Sequence, residues 1–202
     1  IYGGAAARPF TTHHNALDAL LYMRISPELY LKRLLVGGME RVYEFSRNFR
    51  NEGIDTRHNP EFTLLELYQA YADYHVMMEI SEELIATAAE QIAGGLKLPY
   101  GNIEIDYTRP WRRAKYADLL KEHAGVAMTD IDAVKAKAKQ LRIETAGKAD
   151  AVIINEVFEE TVEPHLVQPT FVIDYPADIC PLTRRKSDDP TIAERFELFI
   201  AN

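Results

Sequence analysis

The alternation of polar and apolar residues carries the most information between residues 41 and 70. Residues 41–50 and residues 62–70 each alternate with a period of two, which predicts two strands. The residues between them, 51–60, are rich in turn formers. The pattern therefore predicts an antiparallel hairpin with a long connection.

The polar residues of this hairpin fall on shared faces. Because successive side chains point to opposite sides of a strand, one face of the first strand carries Tyr43, Phe45 and Phe49. The other face of that strand carries Glu44, Ser46, Asn48 and Arg50, and one face of the second strand carries Phe62, Leu64, Glu66 and Tyr68. Periodicity alone is typical of an antiparallel sheet with its polar face in solvent. The alternative is that Arg50, Glu66 and Tyr68 look into one cavity.

Helix signals lie on both sides of the hairpin. Ser26-Pro27-Glu28 offers a capping residue, a proline for the first helical position and an acidic residue for the first turn, and Gly37-Gly38 ends that helix. Asp73 can cap a second helix that runs to about Gln91. Its predicted apolar side consists of Val76, Ile80, Leu84 and Ala88. Further elements are predicted as helices at 114–123, 130–141 and 148–163, a short hairpin at 96–107, and strands at 170–174 and 195–201.

These elements predict an α+β fold. The strands form a mainly antiparallel sheet flanked by helices, with helices inserted between strands instead of a regular βαβ alternation. A length of 202 residues with 47% hydrophobic content suits one domain, 1–202. Within it, residues 112–165 are predicted to form a helical insertion.

Composition and charge exclude several classes of protein. The chain has no run of about 18 apolar residues, so no membrane span is expected. A net charge of −8 argues against a module that binds nucleic acid by bulk charge, because phosphate binding relies on Lys and Arg. Cys180 is the single cysteine, which rules out an internal disulfide and fits a reducing compartment. His13, His14, His75, His123 and His165 show no spacing typical of metal ligands.

Three stretches of the hairpin carry a more specific pattern. They are Phe49-Arg50-Asn51-Glu52-Gly53, Arg57-His58-Asn59-Pro60-Glu61-Phe62-Thr63 and Leu65-Glu66-Leu67-Tyr68. Together they resemble motif 2 of class II aminoacyl-tRNA synthetases in its lysyl form. Segments 3–10, 27–32, 168–171 and 175–178 are similar to other parts of the lysyl enzymes, so the resemblance covers nearly the whole chain, most loosely at 96–150.

The resemblance implies a class II synthetase catalytic domain that activates lysine with ATP to lysyl-adenylate and transfers it to tRNA(Lys). Arg50 matches the motif 2 arginine that bridges the substrate carboxylate and the α-phosphate, and a planar guanidinium suits that double contact. By the same match, Glu52 contacts the adenine edge, His58 and Asn59 lie in the ATP-binding loop, and Phe62 stacks on adenine. From composition alone, Phe62 would be a core residue.

A lysine pocket is implied in the same way. Glu66 matches the acidic partner of the ε-ammonium of the substrate. Glu28 and Tyr68 match positions that line the same pocket, Arg50 contacts the lysine carboxylate, and Gly4 lies where the backbone contacts the substrate. An unpaired buried carboxylate is costly, so Glu66 is expected to be an anion only when a cation arrives or water stays.

The resemblance further implies magnesium, a dimer and a cytoplasmic location. Mg²⁺ bridges the phosphates of ATP through hard oxygen ligands, and Glu197 matches the first of two carboxylate ligands. The second is expected shortly after the end of the chain. Motif 3, most of motif 1 and the anticodon-binding domain are not among these residues. We therefore expect a fragment of a homodimeric enzyme, with little activity by itself.

Other functions stay open at this point. A paralogue could transfer lysine to a protein side chain, and a non-catalytic remnant could bind lysine or ATP. The loop 53–58 resembles the type that charges tRNA. An aspartyl or asparaginyl enzyme is disfavoured, because an acidic substrate needs a cationic pocket and Glu66 is an acid.

Overall fold

The computed structural model describes residues 7–54, 58–180 and 182–201. The chain divides into two compact units, residues 1–72 and residues 73–202. Within the described residues, no helix is both long enough and apolar enough to cross a membrane. Each unit has its own sheets and its own helices, and the predicted α+β composition is confirmed.

The described residues of the first unit form two antiparallel hairpins and one helix. Its elements are β1 (Thr11–His14), β2 (Ala19–Tyr22), α1 (Glu28–Val36), β3 (Arg41–Phe49) and β4 (Glu61–Gln69). The β1–β2 hairpin was not predicted from the sequence. The β3–β4 hairpin was, and its register sets Glu44 opposite Glu66 and Asn48 opposite Phe62.

The expectation that the polar face of β3 lies in solvent was wrong. Ser46 and Asn48 are 3% and 0% exposed, whereas Tyr43 and Phe45 on the other face are 71% and 68% exposed. The reason lies outside the hairpin: α1 packs against both strands, and the buried segment that leads into it contacts the side of Glu66. A remote segment therefore covers the polar face.

Helix α1 begins one residue later than predicted. Pro27 occupies the N-cap position, and no side chain of that residue can cap the helix. The hydroxyl of Ser26 accepts a hydrogen bond from the backbone N–H of Glu28 at 3.1 Å, so it still satisfies one free donor of the first turn. Gly37 ends the helix as expected.

In the second unit, the residues that the structure describes form five strands and four α-helices. Its elements in chain order are α2 (Tyr74–Ala93), β5 (Lys97–Tyr100), β6 (Ile103–Asp106), β7 (Arg112–Lys115), α3 (Tyr116–Ala124), α4 (Ile131–Gln140), α5 (Asp150–Thr161), β8 (Thr170–Pro176) and β9 (Ile192–Phe199). Short 3-10 turns cover Glu163–His165 and Ala177–Ile179. β5 and β6 form the predicted short hairpin.

The strands that precede and follow α3, α4 and α5 in the chain belong to one three-stranded sheet. β8 lies between β7 and β9, parallel to β7 and antiparallel to β9. The strand β7 was not predicted, so the segment 112–165 begins with a strand and only then becomes helical. Parallel neighbours require a long crossover, which α3, α4 and α5 supply here.

The crossover helices enclose the main core of the second unit. The rings of Tyr116 on α3 and Phe158 on α5 stack at 4.0 Å between centroids, and the ring of Tyr175 on β8 lies 5.0 Å from Tyr116. Fully buried aliphatic residues surround these rings: Leu119, Leu120, Val134, Ile153, Val157 and Leu166.

Helix α2 has the predicted cap but a different buried face. The Asp73 carboxylate accepts the backbone N–H groups of His75 and Val76, as predicted. The buried residues of the helix are Met78, Glu82, Ala86 and Ala89, so the predicted apolar side was wrong. Glu82 is drawn inward because its carboxylate accepts the backbone N–H of Trp111 at 2.9 Å.

The stacked rings of Tyr116 and Phe158 predict that truncation of Phe158 strongly lowers the stability of the fold. Phe158→Ala should lower the free energy of unfolding by about 3–5 kcal/mol, because it removes a buried ring and leaves a cavity. Urea unfolding followed by circular dichroism measures this. Val152→Ala is the matched control on the same helix, since Val152 is 40% exposed, and should cost less than about 1 kcal/mol. Equal losses in the two variants would contradict the packing described.

Candidate functional site

Among the described residues of the first unit, the Glu66 carboxylate has hydrogen-bond donors but no cationic partner. The Ser26 hydroxyl donates to Oε1 of Glu66 at 2.8 Å, and the Tyr68 hydroxyl donates to Oε2 at 2.8 Å. Ser26 comes from the segment before α1, while Glu66 and Tyr68 share one face of β4. Two neutral donors therefore fix the orientation of the carboxylate and leave its charge in place.

The phenol of Tyr68 is suited to remain a hydrogen-bond donor. Burial raises its pKa, and the hydrogen bond and negative charge of Glu66 and the negative charge of Glu28 raise it further. A neutral phenol cannot repel the neighbouring carboxylates, whereas a phenolate would. The structure thus brings Glu28, Glu66 and Tyr68 together.

Glu28 reaches this cluster from the first turn of α1. Its Oε1 lies 2.5 Å from Nζ of Lys32, one helical turn further on, and the same ammonium lies 5.9 Å from the centre of the Tyr68 ring. Residues four apart lie on one side of a helix, which explains the pairing. We call Glu28, Glu66 and Tyr68 the acidic cluster. The Lys32 ammonium lies beside it, which the sequence analysis did not predict.

A cavity lies at the loop end of the β3–β4 hairpin. It is an open cavity of about 270 Å³. Its lining consists of Arg50, Glu52, Gly53, His58, Asn59, Pro60 and Phe62. The backbone N–H of Arg50 donates to the Pro60 carbonyl at 2.9 Å, so strand pairing continues to the base of the loop. All five residues predicted to bind ATP lie here.

Arg50 connects this cavity with the acidic cluster. Its guanidinium lies 5.1 Å from the centre of the Phe62 ring, and its Nε lies 3.5 Å from the carbonyl oxygen of Ile25. Ile25 directly precedes Ser26, which binds Glu66. A guanidinium held against a ring keeps its N–H edges available for carboxylate or phosphate oxygens.

The buried polar face of β3 adds an open acceptor near these groups. The Asn48 side chain donates to the Ser46 hydroxyl at 3.0 Å. Among residues 7–54, 58–180 and 182–201, its carboxamide oxygen is the buried side-chain atom that has no hydrogen-bond partner. Buried acceptors are nearly always paired, so this oxygen is an exception among the described polar groups.

The remaining predicted site residues are Gly4 and Glu197. Gly4 lies outside the described residues. Glu197 lies on β9 in the second unit, where its Oε2 accepts the Tyr175 hydroxyl at 3.1 Å and its Oε1 pairs with Arg195. In the part of the chain that the structure describes, no group of three His, Cys, Asp or Glu side chains could hold a metal ion.

The structure adds Ser26 and Lys32 to the site. For Lys32, the spacing of four from Glu28 was a usable signal. For Ser26, the sequence indicated only a helix cap, and its contact with Glu66 across 40 residues had no local signal.

Comparison with known proteins identifies the family. A family model described as tRNA synthetases class II (D, K and N) matches residues 1–202. The chain belongs to the class II tRNA synthetases. The family resemblance stated in the sequence analysis is thereby confirmed.

Curated relatives of this chain narrow the comparison. It is 58% identical over 204 residues to the lysine--tRNA ligase of Carboxydothermus hydrogenoformans, covering 99% of the chain and 42% of the relative. It is 57% identical over 209 residues to that of Pelotomaculum thermopropionicum and 54% identical over 209 residues to that of Clostridium tetani, covering 99% of the chain and 41% of each relative. The chain thus spans about two fifths of the length of these relatives.

The environment of Tyr68 predicts that the phenol titrates at an unusually high pH. Its pKa should lie above the ordinary tyrosine value of 10.0, and Glu66→Gln should lower it, because the variant removes one of the negative charges that disfavour phenolate. NMR titration of Cζ-labelled tyrosine, assigned with Tyr68→Phe, measures both values. Glu61→Gln, on the other face of β4, is the control and should leave the pKa unchanged. An ordinary pKa for Tyr68 would contradict the geometry.

Proposed function

We propose that the protein containing this chain is a lysine-tRNA ligase, which activates lysine with ATP to lysyl-adenylate and transfers the lysyl group to tRNA(Lys). The observation that carries the proposal is the Glu66 carboxylate, which two neutral donors orient without neutralising it. Such a group favours a ligand ammonium. The names of the relatives reported above support the same choice.

The pocket distinguishes among the three amino acids of the family, aspartate, lysine and asparagine. An aspartate side chain would meet Glu66 as a like charge, and an asparagine side chain is neutral and would leave Glu66 without a cation. The ε-ammonium of lysine supplies the missing charge. A site built to pair with one charged group rejects analogues that lack it, because its own group is then left unpaired.

Arg50 would bring the two anionic reactants together. Its position between the acidic cluster and the Phe62 cavity suits contact with both the lysine carboxylate and the α-phosphate of ATP. A fixed cation at this point neutralises both groups and aligns the carboxylate oxygen for attack on phosphorus, with pyrophosphate as the leaving group. In this proposal Phe62 stacks on adenine, Glu52 contacts the adenine edge, and His58 and Asn59 contact ATP from the loop.

Enzymes of this family use ATP together with Mg²⁺. Glu197 is paired with Arg195 and accepts the Tyr175 hydroxyl, and among the described residues no group of three His, Cys, Asp or Glu side chains could hold a metal ion. A role for Glu197 as a ligand would require its release from Arg195 and oxygen ligands from elsewhere. We therefore assign no step of the reaction to a metal on these residues.

The remaining partners follow from the proposed activity. A tRNA charging enzyme acts where translation takes place, which supports the cytoplasm, and we propose a homodimer as the working form. A paralogue that lysylates a protein side chain would use the same pocket. The relatives named above are ligases for tRNA, which favours tRNA as the acceptor.

Lysine-dependent exchange of pyrophosphate into ATP by the full-length protein tests the proposal. Arg50→Lys should lower kcat by about 100-fold or more, because an ammonium cannot make the double contact of a planar guanidinium. Arg47→Lys is the matched control and should retain activity, because Arg47 lies on the same strand but on its opposite face, where it pairs with Glu61 at 2.8 Å.

Glu66→Gln should act through lysine binding. The KM for lysine should rise by about 100-fold or more, with a smaller effect on the KM for ATP, because the carboxylate faces the ammonium and not the phosphates. Exchange that does not depend on lysine, or an equal loss in Arg47→Lys and Arg50→Lys, would refute the assignment. Charging assays with tRNA and with a protein acceptor separate the two acceptors.

A further inference from the structure

Two adjacent residues in the segment before α1 contact the two charged groups of the proposed lysine site. The carbonyl oxygen of Ile25 lies 3.5 Å from Nε of Arg50, and the Ser26 hydroxyl donates to Oε1 of Glu66 at 2.8 Å. Ile25 and Ser26 are 2% and 5% exposed, so little water reaches these contacts. The spacing between the guanidinium and the carboxylate therefore depends on one buried dipeptide.

The position of the Ser26 hydroxyl is fixed by contacts on both of its sides along the chain. Two residues earlier, the Arg24 carbonyl accepts the backbone N–H of Phe49 at 2.7 Å, which ties the segment to the end of β3. Two residues later, the backbone N–H of Glu28 donates to the Ser26 oxygen at 3.1 Å. A hydroxyl has a single proton to donate, and here that proton is directed at Glu66.

Two donors on different oxygens hold a carboxylate more firmly than one donor does. Tyr68, on the same strand as Glu66, donates to Oε2 at 2.8 Å and would by itself allow the carboxylate to turn about this one hydrogen bond. Ser26 binds the other oxygen and comes from a different part of the chain, so it removes that freedom. A specific binding site requires its groups to be held within about 0.5 Å of the productive geometry.

We propose that Ser26 is a positioning residue, whose hydroxyl holds Glu66 at a fixed distance from Arg50 and thereby selects lysine over ornithine. The inference rests on the proposed function, because it takes Glu66 as the partner of the side-chain ammonium and Arg50 as the partner of the ligand carboxylate. Ornithine has the same charged groups as lysine but one methylene group fewer. When its carboxylate binds Arg50, its side-chain ammonium falls short of Glu66, and the Glu66 carboxylate can follow the shorter ligand only if it is free to turn.

A purely structural role for Ser26 predicts a different result. Its hydroxyl also accepts the first-turn N–H of Glu28, so the loss of this hydroxyl would loosen the start of α1. Such loosening would weaken the use of lysine and of ornithine to a similar extent. The proposal instead predicts that lysine loses more than ornithine, because only lysine makes the full ion pair with a fixed Glu66.

Pyrophosphate exchange by the full-length protein, with L-lysine and L-ornithine as the amino acids, tests the inference. Ser26→Ala should raise the KM for lysine by about tenfold, since it removes a hydrogen bond to a charged group, and should leave the KM for ATP within about twofold of the wild type. The ratio of kcat/KM for lysine to kcat/KM for ornithine should fall by about fivefold or more. Ser26→Thr keeps the hydroxyl and should keep this ratio within about twofold of the wild type.

Ser46→Ala is the matched control. It removes another buried hydroxyl of the first unit, one that is bonded to the Asn48 side chain and not to Glu66. The ratio of lysine to ornithine use should stay within about twofold of the wild type. An unchanged ratio in Ser26→Ala, or an equal fall in Ser26→Thr or Ser46→Ala, would overturn the inference. Wild-type protein without lysine-dependent exchange would overturn the proposed function and this inference with it, whereas lysine-dependent exchange with an unchanged ratio in Ser26→Ala would overturn the inference alone.

Discussion

A carboxylate that is partly removed from water needs either a cation or several hydrogen-bond donors, and this requirement shapes the first unit. Glu66 receives its two donors from different places, Tyr68 on the same strand and Ser26 from the segment before α1. The second donor is available only because that segment lies against the polar face of the β3–β4 hairpin. The same placement buries Ser46 and Asn48 and forces the apolar Tyr43 and Phe45 outward. The carboxylate of Glu66 thus keeps its charge in a hairpin whose polar face is buried and whose apolar face is exposed, which is the reverse of the usual arrangement.

Arg50 depends on the same segment. Its guanidinium lies between the Ile25 carbonyl and the Phe62 ring, and its backbone N–H closes the loop at Pro60. One short stretch before α1 therefore positions both the anion that suits an ammonium and the cation that suits a carboxylate or phosphate. Because the two charged groups are held by separate partners, neither neutralises the other, and each remains available to a ligand that carries the opposite charge.

The second unit follows ordinary packing rules to a greater extent. Its helices α3, α4 and α5 connect two parallel strands and bury one apolar core built on the stacked rings of Tyr116 and Phe158. Polar groups that enter the interior have partners, as Glu82 shows by accepting the Trp111 N–H. Glu197 belongs to this pattern too, since Arg195 and Tyr175 satisfy its carboxylate. Glu197 therefore has both a hydrogen-bond donor and a cationic partner within the sheet. Glu66 has two neutral donors and no cationic partner among the described residues.

The sequence by itself determined the α+β class, the β3–β4 hairpin with its long connection and the cap of α2, because alternation, capping and turn formation depend on neighbouring residues. It placed Glu66 and Tyr68 on one face for the same reason. Only the tertiary structure decided which face of β3 is buried, which side of α2 is buried, that β7 is a strand, and that Ser26 and Lys32 join the site. Periodicity defines the faces of an element, but the segment that covers a face comes from elsewhere in the chain, and the position of that segment is set by packing.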